Sequence, residues 1–503
     1  MADFPLFIDG EFRDALSGAT FETRDPATGE LIGTVAEAGV DDARAAIAAA
    51  RRAFDNGRWS GLAATERAEV LQRVAGGIAA RFDELAQLEA RDSGSVLTKA
   101  QAADVGQAMS WFAAMAELAP LLDQPEALPP SPFGSTNTLR REPIGVCAAI
   151  TPWNFPLAMA AWKLSMALAA GNTVVLKPAE QTPCTALRLA EILRDAGVPD
   201  GVVNVIPGPG PGTGEELCIH PDVDKVSFTG STAVGRHIMT LAAGTLKTVT
   251  LELGGKSAQI VLDDADLDLV IDGALYAGLF HSGQACTAGS RLLVSEARHD
   301  EVVERLRARM ADVTVGLPLQ PGVNVGPLVS QEQLDTVLGY IELGEKEGAT
   351  LLVGGGRPAG ADLAGGFFVE PTLFTDVTAD MTIAQEEIFG PVITVLRYRD
   401  EDEAVAIANG TPYGLAAGVW GEPIHAGAVA GRLRAGTVWV NDWHMLSPMY
   451  PFGGFKQSGI GREHGLMGLL GYTEAKHVHV AATTTVEGHP WFGLTVAPQG
   501  AQA

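Results

Sequence analysis

The part of the chain that most restricts its fold begins at residue 145. From there, short runs of apolar and β-branched residues alternate with segments rich in alanine and leucine. Such alternation is typical of βαβ units, whose strands run parallel in one sheet. A second alternation begins at residues 291–296 and ends at 436–441. The pattern predicts an α/β fold with two mostly parallel sheets. The first five predicted strands are VCAAI, TVVLKP, VVNVIPG, KVSFTG and TVTLELGG.

The chain before residue 145 is predicted to be mainly helical. Apolar residues recur at helical spacing in segments 39–54 and 66–90. Ahead of them, Asp9 and Gly10 stand between two apolar runs, which predicts a β-hairpin. A proline-rich stretch at 124–134 predicts a linker or crossing. Because 503 residues exceed the size at which one core keeps growing, we expect two or three domains.

Composition and charge argue against several classes of protein. The net charge is −26, from 35 basic and 61 acidic residues. This disfavours nucleic-acid binding, because phosphate contacts need clustered lysine and arginine. The longest apolar stretch is too short to span a bilayer, and the first ten residues lack the pattern of a secretory signal. We therefore expect a cytoplasmic protein with neither a membrane nor a nucleic-acid partner.

The four cysteines predict neither a metal site nor a disulfide scaffold, because they lie far apart and form no CxxC pair. One of them stands among glycines, alanines and small hydroxyls in HSGQACTAGSR, residues 281–291. That thiol is either a nucleophile in an open turn or a small buried hydrophobe, and a lone cysteine is more often the latter. The four are Cys147, Cys184, Cys218 and Cys286.

Two glycine-rich segments are candidates for binding phosphate. The run GPGPGTG at 208–214 fails the dinucleotide fingerprint, because glycines never occupy its first, third and sixth places together. At Gly230-Ser231 a predicted strand ends and a helix begins, so backbone N–H groups there could approach an anion. A plain turn with Ser231 as the helix N-cap explains the same residues equally well.

Polar residues follow other predicted strands at the edge where α/β sheets bind ligands. Lys177 and Glu180 could hold a ribose, or they could be a solvated charge pair. Glu252 ends an apolar strand, where partial desolvation would favour general-base work, or it could be a surface acid. Asn154 lies between prolines in ITPWNFP and could stabilise an oxyanion, although such residues are more often turn residues.

Together these segments resemble the aldehyde dehydrogenase superfamily, of the NAD(P)-dependent, non-acylating type. The similarity runs along nearly the whole chain and keeps the order of the family's motifs. The motifs are PWNFP (152–156), KPAEQTP (177–183), VDKVSFTGSTAVG (223–235), LELGGKS (251–257), GQACTAGSR (283–291), EEIFGPV (386–392), PFGGFKQSGIGRE (451–463) and YTEAKHV (472–478).

The resemblance implies oxidation of an aldehyde to a carboxylic acid through a thiohemiacetal and a thioester on Cys286. In that reaction Cys286 would be the nucleophile, Glu252 the general base and Asn154 the oxyanion donor. Residues matching Lys163 and Glu463 support the proton network behind the base.

The resemblance also implies a binding site for NAD, with NADP as the less favoured alternative. Lys177 and Glu180 would hold the adenosine ribose. We expect NAD⁺ to be preferred, because a carboxylate at the ribose repels a 2′-phosphate. The remaining residues implied in cofactor binding are Trp153, Gly230, Ser231, Glu387 and Phe389.

The family fold implies a Rossmann-like coenzyme domain, an α/β catalytic domain and a small β arm for homo-oligomerisation as a dimer or tetramer. The implied coenzyme domain covers residues 1–122 and 144–254, and the catalytic domain covers 255–457. The arm and C-terminal tail take 123–143 and 473–503.

A hydrophobic or aromatic aldehyde is the expected substrate. The segment 441–454 occupies the family's substrate-loop position and carries no Lys or Arg. A helix near residue 111 often lines the substrate tunnel in this family. The residues expected in the tunnel wall are Trp111, Phe112, Met115, Trp443, His444, Met445 and Tyr450.

Three other functions remain open on the residues alone. A CoA-acylating dehydrogenase would pass the acyl group to CoA, although Glu252 would waste that intermediate by activating water. A cysteine hydrolase would pair Cys286 with a histidine such as His281. A binding or structural protein on the same scaffold would use none of these residues for chemistry.

Overall fold

The computed structural model describes residues 2–130 and 134–496. Its first large sheet has eight strands, and the five in its centre run parallel. The outer strands pair antiparallel at both edges. This arrangement confirms the predicted parallel sheet. In spatial order the strands are Gly459–Ile460, Thr248–Glu252, Lys225–Thr229, Val146–Ile150, Thr173–Lys177, Val203–Val205, Leu6–Ile8 and Glu11–Arg13.

The predicted hairpin joins the last two strands of this sheet. Asp9 and Gly10 both have positive φ, +56° and +84°, as a two-residue hairpin turn requires. The backbone N–H of Asp9 donates to Asn204 Oδ1 at 2.9 Å, which ties the turn to the neighbouring parallel strand. A Cβ at Gly10 would lie 2.1 Å from Asp200 Oδ1, so the position has no room for a side chain.

The second large sheet has seven strands, six of them parallel and one antiparallel at an edge. The alternation predicted between residues 291 and 441 therefore forms most of a second α/β layer, and strand Ala258–Val261 also belongs to it. In spatial order the strands are Thr350–Val353, Thr372–Thr375, Val392–Tyr398, Arg291–Ser295, Ala258–Val261, Ala416–Trp420 and Thr437–Val440.

Helices separate the strands throughout both halves. The segment predicted as one helix over 66–90 is two helices, because Arg81 has a non-helical backbone and its side chain pairs with Glu84 and Glu191. The helices are Val40–Asp55, Ala64–Ala80, Phe82–Ser93, Leu97–Lys99, Gly106–Leu118, Pro156–Ala169, Cys184–Asp195, Glu215–Ile219, Thr232–Ala242, Leu267–Leu279, His299–Met310, Gln331–Lys346, Thr382–Gln385, Glu401–Asn409, Pro423–Ala430 and Gly465–Leu470.

Two small sheets complete the described structure. One contains Ala2–Phe4, Leu31–Ala36 and Thr20–Arg24 and was not predicted. In the other, Ser135–Pro143 lies between the two-residue strand Glu126–Ala127 and Thr473–Ala481. The first part of the tail, Thr473–Ala481, thus pairs with the segment predicted to form the arm.

The role of that arm in assembly and the domain boundaries stay predictions. Part of the proline-rich stretch, residues 131–133, and the end of the tail, 497–503, lie outside the described residues. Within the part of the chain that the structure describes, no helix is both long and apolar enough to cross a membrane.

The carboxyl ends of four adjacent parallel strands lie side by side at one edge of the first sheet, and each end carries a polar residue or leads into a sequence motif. Ile150 pairs with Lys177, and Thr229 pairs with Glu252, each at the carboxyl end of its strand. Ligands of open α/β sheets bind at this edge. The sheet therefore gathers sequence motifs that lie about 100 residues apart along the chain.

Candidate active site

A cavity of about 460 Å³ opens at this edge of the first sheet. Three of the predicted catalytic residues line it: Asn154, Glu252 and Cys286. Five predicted cofactor residues line it too, namely Trp153, Gly230, Ser231, Glu387 and Phe389. A single cavity therefore joins motifs from both large sheets and from the loops between them.

Cys286 lies on a loop with an unusual backbone. Three consecutive residues before it, His281, Ser282 and Gly283, all have positive φ. Only glycine fits at 283, because a Cβ there would lie 2.0 Å from the carbonyl oxygen of Gly390. Non-glycine residues held at positive φ carry strain and cluster at functional sites. The loop leaves Cys286 half-buried in the cavity wall.

The thiol of Cys286 is protonated at neutral pH in the free protein. Burial raises its pKa to about 12, and the nearby carboxyls of Glu387 and Glu252 raise it further. Backbone N–H groups act in the opposite direction but do not offset burial. Nucleophilic attack by Cys286 therefore needs either a base that takes the thiol proton or a positive charge that a bound ligand brings near the sulfur.

Asn154 is buried beside this loop. Its side-chain Nδ2 donates to the carbonyl oxygen of Gln284 at 2.8 Å. An amide carries two donor hydrogens, so this bond uses one and leaves the other. Since Asn154 lines the same cavity as Cys286, the second hydrogen is available to an oxygen bound there. Asn154 is therefore more than a turn residue, because it bonds to the Cys286 loop and lines the cavity.

Glu252 ends the strand Thr248–Glu252 and is buried, so it is not a surface acid. Neither carboxylate oxygen has a hydrogen-bond partner among the described residues. Burial raises the pKa of Glu252 well above its usual range, and the negative charge of Glu463 adds to this, while Lys163 and Arg462 lower it. A desolvated carboxyl with raised pKa is suited to accept a proton near neutral pH.

Lys163 and Glu463 form a fully buried ion pair behind the cavity. The Nζ of Lys163 lies 3.2 Å from both carboxylate oxygens of Glu463 and donates to Ser227 Oγ at 2.9 Å. Glu463 also accepts from Ser227 Oγ at 2.7 Å. The charges of both partners act on the pKa of Glu252, in opposite directions.

Ser231 is the N-cap of helix Thr232–Ala242, and its Oγ accepts from the N–H of Val234 at 3.3 Å. The capping interpretation of this turn is therefore correct. It is also compatible with phosphate binding, because the other N–H groups of a first helical turn have no partner within the helix. Beside it, the buried Oγ1 of Thr229 has no partner among the described residues and lies in the cavity wall.

Two further groups line this part of the cavity. Glu387 accepts a hydrogen bond from the N–H of Gly255 at 3.0 Å, and burial raises the pKa of its carboxyl to about 7. The rings of Phe389 and Trp153 meet edge to face with centroids 5.2 Å apart.

Lys177 and Glu180 lie outside the cavity wall at the carboxyl end of strand Thr173–Lys177. The Nζ of Lys177 lies 3.2 Å from Glu180 Oε2. Lys177 is buried and Glu180 is partly exposed. The pair is therefore not a fully solvated one.

The predicted substrate residues divide into two groups. Trp111, His444 and Met445 line the cavity. The structure corrects the others: Phe112, Met115 and Trp443 are buried in the core, and Tyr450 is exposed on the surface. The indole of Trp443 packs on Gly418 and Gly289 and donates to the carbonyl of Thr287 at 3.0 Å, which turns it away from the cavity.

The similarity to known proteins decides the family. A family model described as the aldehyde dehydrogenase family matches residues 12–478. The chain belongs to the aldehyde dehydrogenase family. The predicted family, and with it an oxidoreductase that acts on aldehydes, is confirmed.

Relatives and solved structures agree along nearly the whole chain. Betaine aldehyde dehydrogenase of Bacillus subtilis (strain 168) is 46% identical over 94% of this chain and 96% of its own. The NAD⁺ complex of aldehyde dehydrogenase from Bacillus cereus is 46% identical, covers 96% and 97% of the two chains and has a TM-score of 0.93. Betaine aldehyde dehydrogenase from Staphylococcus aureus in complex with NAD⁺ is 41% identical, covers 96% of each chain and has a TM-score of 0.94.

Sequence reasoning missed most of the aromatic wall of this aldehyde dehydrogenase. Spacing could have found part of it, since Tyr276 and Phe280 stand four residues apart just before the Cys286 loop. Met159 and Trp162 lie three apart on the helix that follows PWNFP. The missed aromatic residues of the wall are Phe155, Trp162, Tyr276, Phe280 and Phe452.

The geometry does not support a cysteine hydrolase. His281 is buried, its Nδ1 contacts Ser95 Oγ at 3.4 Å, and it does not line the cavity that contains Cys286. Burial lowers its pKa well below the usual range, and the charge of Lys99 lowers it further. Among the described residues, no hydrogen bond joins His281 to Cys286.

Proposed function

We propose that the protein oxidises a hydrophobic or aromatic aldehyde to its carboxylic acid with NAD⁺ as the hydride acceptor. One observation carries the proposal. Cys286, Asn154 and the unpartnered carboxyl of Glu252 line one cavity, and aromatic side chains form much of the remaining wall. Nucleophile, oxyanion donor and base are the three groups that acyl chemistry on a thiol needs.

The residues present fit a dinucleotide. Ser231 and Gly230 would face the pyrophosphate at a helix N-terminus. Lys177 and Glu180 would hold the adenosine ribose, and Glu387, Phe389 and Trp153 the nicotinamide end. When bound, NAD⁺ accepts the hydride that leaves the substrate carbon.

The chain's own residues would perform the first half of the reaction as follows. Cys286 Sγ loses its proton to a base, for which Glu252 acting through water is available, and attacks the carbonyl carbon. Negative charge then develops on the carbonyl oxygen, where the free amide hydrogen of Asn154 and the backbone N–H of Cys286 donate. Each such donor contributes about 3 kcal/mol in a water-excluded site.

In the second half the acyl group rests on Cys286 as a thioester. Glu252 takes a proton from water, and the resulting hydroxide displaces the thiolate to release the acid. The raised pKa of Glu252 requires that this step accelerates as pH rises and the carboxyl ionises. The Lys163–Glu463 pair would carry protons away from Glu252.

A panel of aldehydes tests the substrate class. We expect kcat/KM for benzaldehyde or hexanal to exceed that for succinic semialdehyde at least about tenfold. The reason is that, among the residues the structure describes, no Lys or Arg lines the wall to pair with a carboxylate. Absorbance at the NADH band measures the rates. Higher kcat/KM on the anionic semialdehyde would contradict the proposal.

A quaternary ammonium aldehyde is the second candidate. Two relatives are named betaine aldehyde dehydrogenases. Aromatic faces attract such cations by about 0.5–2 kcal/mol, and Trp111 and Trp162 lie side by side in the wall with ring centroids 5.2 Å apart. Adding betaine aldehyde to the panel distinguishes the two, since only this candidate predicts that it has the highest kcat/KM.

Cofactor preference gives a separate prediction. We expect kcat/KM for NAD⁺ to exceed that for NADP⁺ about tenfold or more, because Glu180 would repel the 2′-phosphate. Glu180→Gln should lower the ratio of kcat/KM for NAD⁺ to kcat/KM for NADP⁺, mainly by raising the value for NADP⁺. Exchange of an exposed acid away from the site, Glu342→Gln, is the control and should leave the ratio unchanged. An unchanged ratio in Glu180→Gln would contradict the role of Glu180.

The expected acyl acceptor follows from the role proposed for Glu252. Transfer to CoA is disfavoured because Glu252 would direct water to the thioester, and product analysis with and without CoA distinguishes the two acceptors.

A cytoplasmic location suits a chain whose four cysteines are all free thiols. Homo-oligomerisation would use the sheet containing Ser135–Pro143 and Thr473–Ala481.

A further inference from the structure

A buried cluster of charged side chains lies behind the PWNFP segment. Lys99, Asp104 and Glu89 are each almost completely buried. The Nζ of Lys99 lies 2.8 Å from Asp104 Oδ2, and it donates to Oδ1 at 3.0 Å. None of the three lines the catalytic cavity, and none belongs to a motif that the sequence analysis identified.

The cluster contacts three positions of the segment that carries Asn154. Lys99 Nζ donates to the backbone carbonyl of Asn154 at 3.0 Å and lies 4.0 Å from the ring centroid of Phe155. Glu89 Oε1 accepts from the N–H of Leu157 at 3.1 Å. The carbonyl of Asn154 is therefore held by Lys99, and the backbone three residues later is held by Glu89. A hydrogen bond from an ionised donor such as Lys99 is shorter and stronger than a neutral one.

A gain in the stability of the fold does not explain this cluster of buried ionisable side chains. Burial raises the pKa of Glu89 well above its usual range, and the negative charge of Asp104 adds to this. Burial also raises the pKa of Asp104 to about 6, although the charge of Lys99 acts in the opposite direction. A buried ion cluster contributes little net stability relative to apolar packing. Asp104 is also delivered by a π-helical segment, Ala100–Val105, a rare turn that is frequent at functional sites.

The side chain of Asn154 is held separately, by a hydrogen bond to the carbonyl of Gln284, two residues before Cys286. With its backbone held by Lys99 and one amide hydrogen held by Gln284, the direction of the second hydrogen is determined. We propose that Lys99 is a positioning residue that directs the free amide hydrogen of Asn154 at the developing oxyanion, and that the ion pair with Asp104 holds Lys99 in place. The inference depends on the oxyanion role proposed for Asn154.

A double-mutant cycle with Lys99→Met and Asn154→Ala tests this inference. The readout is the rate constant of the first NADH burst in the native background and in Asn154→Ala. In the native background Lys99→Met should slow the burst about tenfold or more, since small displacements of a catalytic group have effects of that size. In Asn154→Ala the same change should slow it less than about twofold, because no donor remains to be positioned. The KM for the aldehyde should change little.

A matched control is Lys247→Met. Lys247 Nζ donates to the carbonyl of Val223 at 2.8 Å, next to the amino ends of strands Lys225–Thr229 and Thr248–Glu252. The cavity lies at the carboxyl ends of these strands, so loss of the Lys247 charge should leave the burst rate within about twofold. If Lys99→Met does not fold, Asp104→Asn enters the cycle in its place and should show the same non-additivity.

The outcomes separate the two proposals. Equal slowing by Lys99→Met in both backgrounds would overturn the positioning role while leaving the proposed function intact. A normal burst in Asn154→Ala alone would overturn the oxyanion assignment itself.

Discussion

Replacing Cys286 by serine abolishes steady-state NADH formation, by at least about 10⁴-fold, the scale of removing a catalytic nucleophile. A serine hydroxyl is far less acidic than a thiol, and the cavity offers it no stronger activation than Cys286 receives. The cavity wall around Gly230, Ser231 and Phe389 is unchanged, so NAD⁺ binding persists. Quenching of tryptophan fluorescence, including that of Trp153, measures binding, and absorbance measures turnover.

Another buried cysteine provides the control for this experiment. Cys218 lies on helix Glu215–Ile219, is buried in the core and does not line the cavity. Cys218→Ala should therefore retain turnover within about twofold, with a modest loss of stability. Retained activity in Cys286→Ser would remove the nucleophile assignment, whichever result Cys218→Ala gives.

Glu252→Gln separates the two halves of the reaction. We expect a first burst of about one NADH per active site followed by turnover slowed about 10²–10³-fold, the usual contribution of a general base. The acyl group then accumulates on Cys286, because glutamine cannot accept a proton from water. Rapid-quench kinetics measures the burst, and mass spectrometry of the quenched protein detects the acyl adduct.

Addition of hydroxylamine extends this test. A nucleophile that needs no base should release the acyl group as a hydroxamate and restore part of the turnover in Glu252→Gln. The control Glu342→Gln changes an exposed carboxylate on helix Gln331–Lys346 and should behave like the native enzyme. An unaltered steady-state rate in Glu252→Gln would contradict the assigned base.

The family and the parallel sheets could be predicted from sequence because their causes are local. A run such as VCAAI followed by an alanine-rich helix commits the chain to a βαβ unit through side-chain size and periodicity alone. Motifs such as PWNFP and GQACTAGSR carry the residue types of the site within a few positions. The hairpin at Asp9-Gly10 is equally local, because positive φ at both residues decides its turn.

Where local patterns left two interpretations open, contacts between distant segments decided. Ser231 is the predicted N-cap, yet the cavity it lines also contains Glu387 and Phe389, which lie on the loop before strand Val392–Tyr398 of the other large sheet. Likewise Glu252 is buried, and its pKa is set partly by Glu463, over 200 residues away in the chain. A desolvation effect of this kind depends on what packs around a group.

The sequence by itself determined the fold class, the order of the motifs and the identities of Cys286, Glu252 and Asn154 as candidates, because these depend on short-range pattern. Only the tertiary structure decided which aromatic residues face the cavity, turning Trp443 into the core and Trp162 into the wall. It alone brought Lys99 against the backbone of Asn154, 55 positions away. Side-chain direction and long-range contact follow from packing, which no local periodicity encodes.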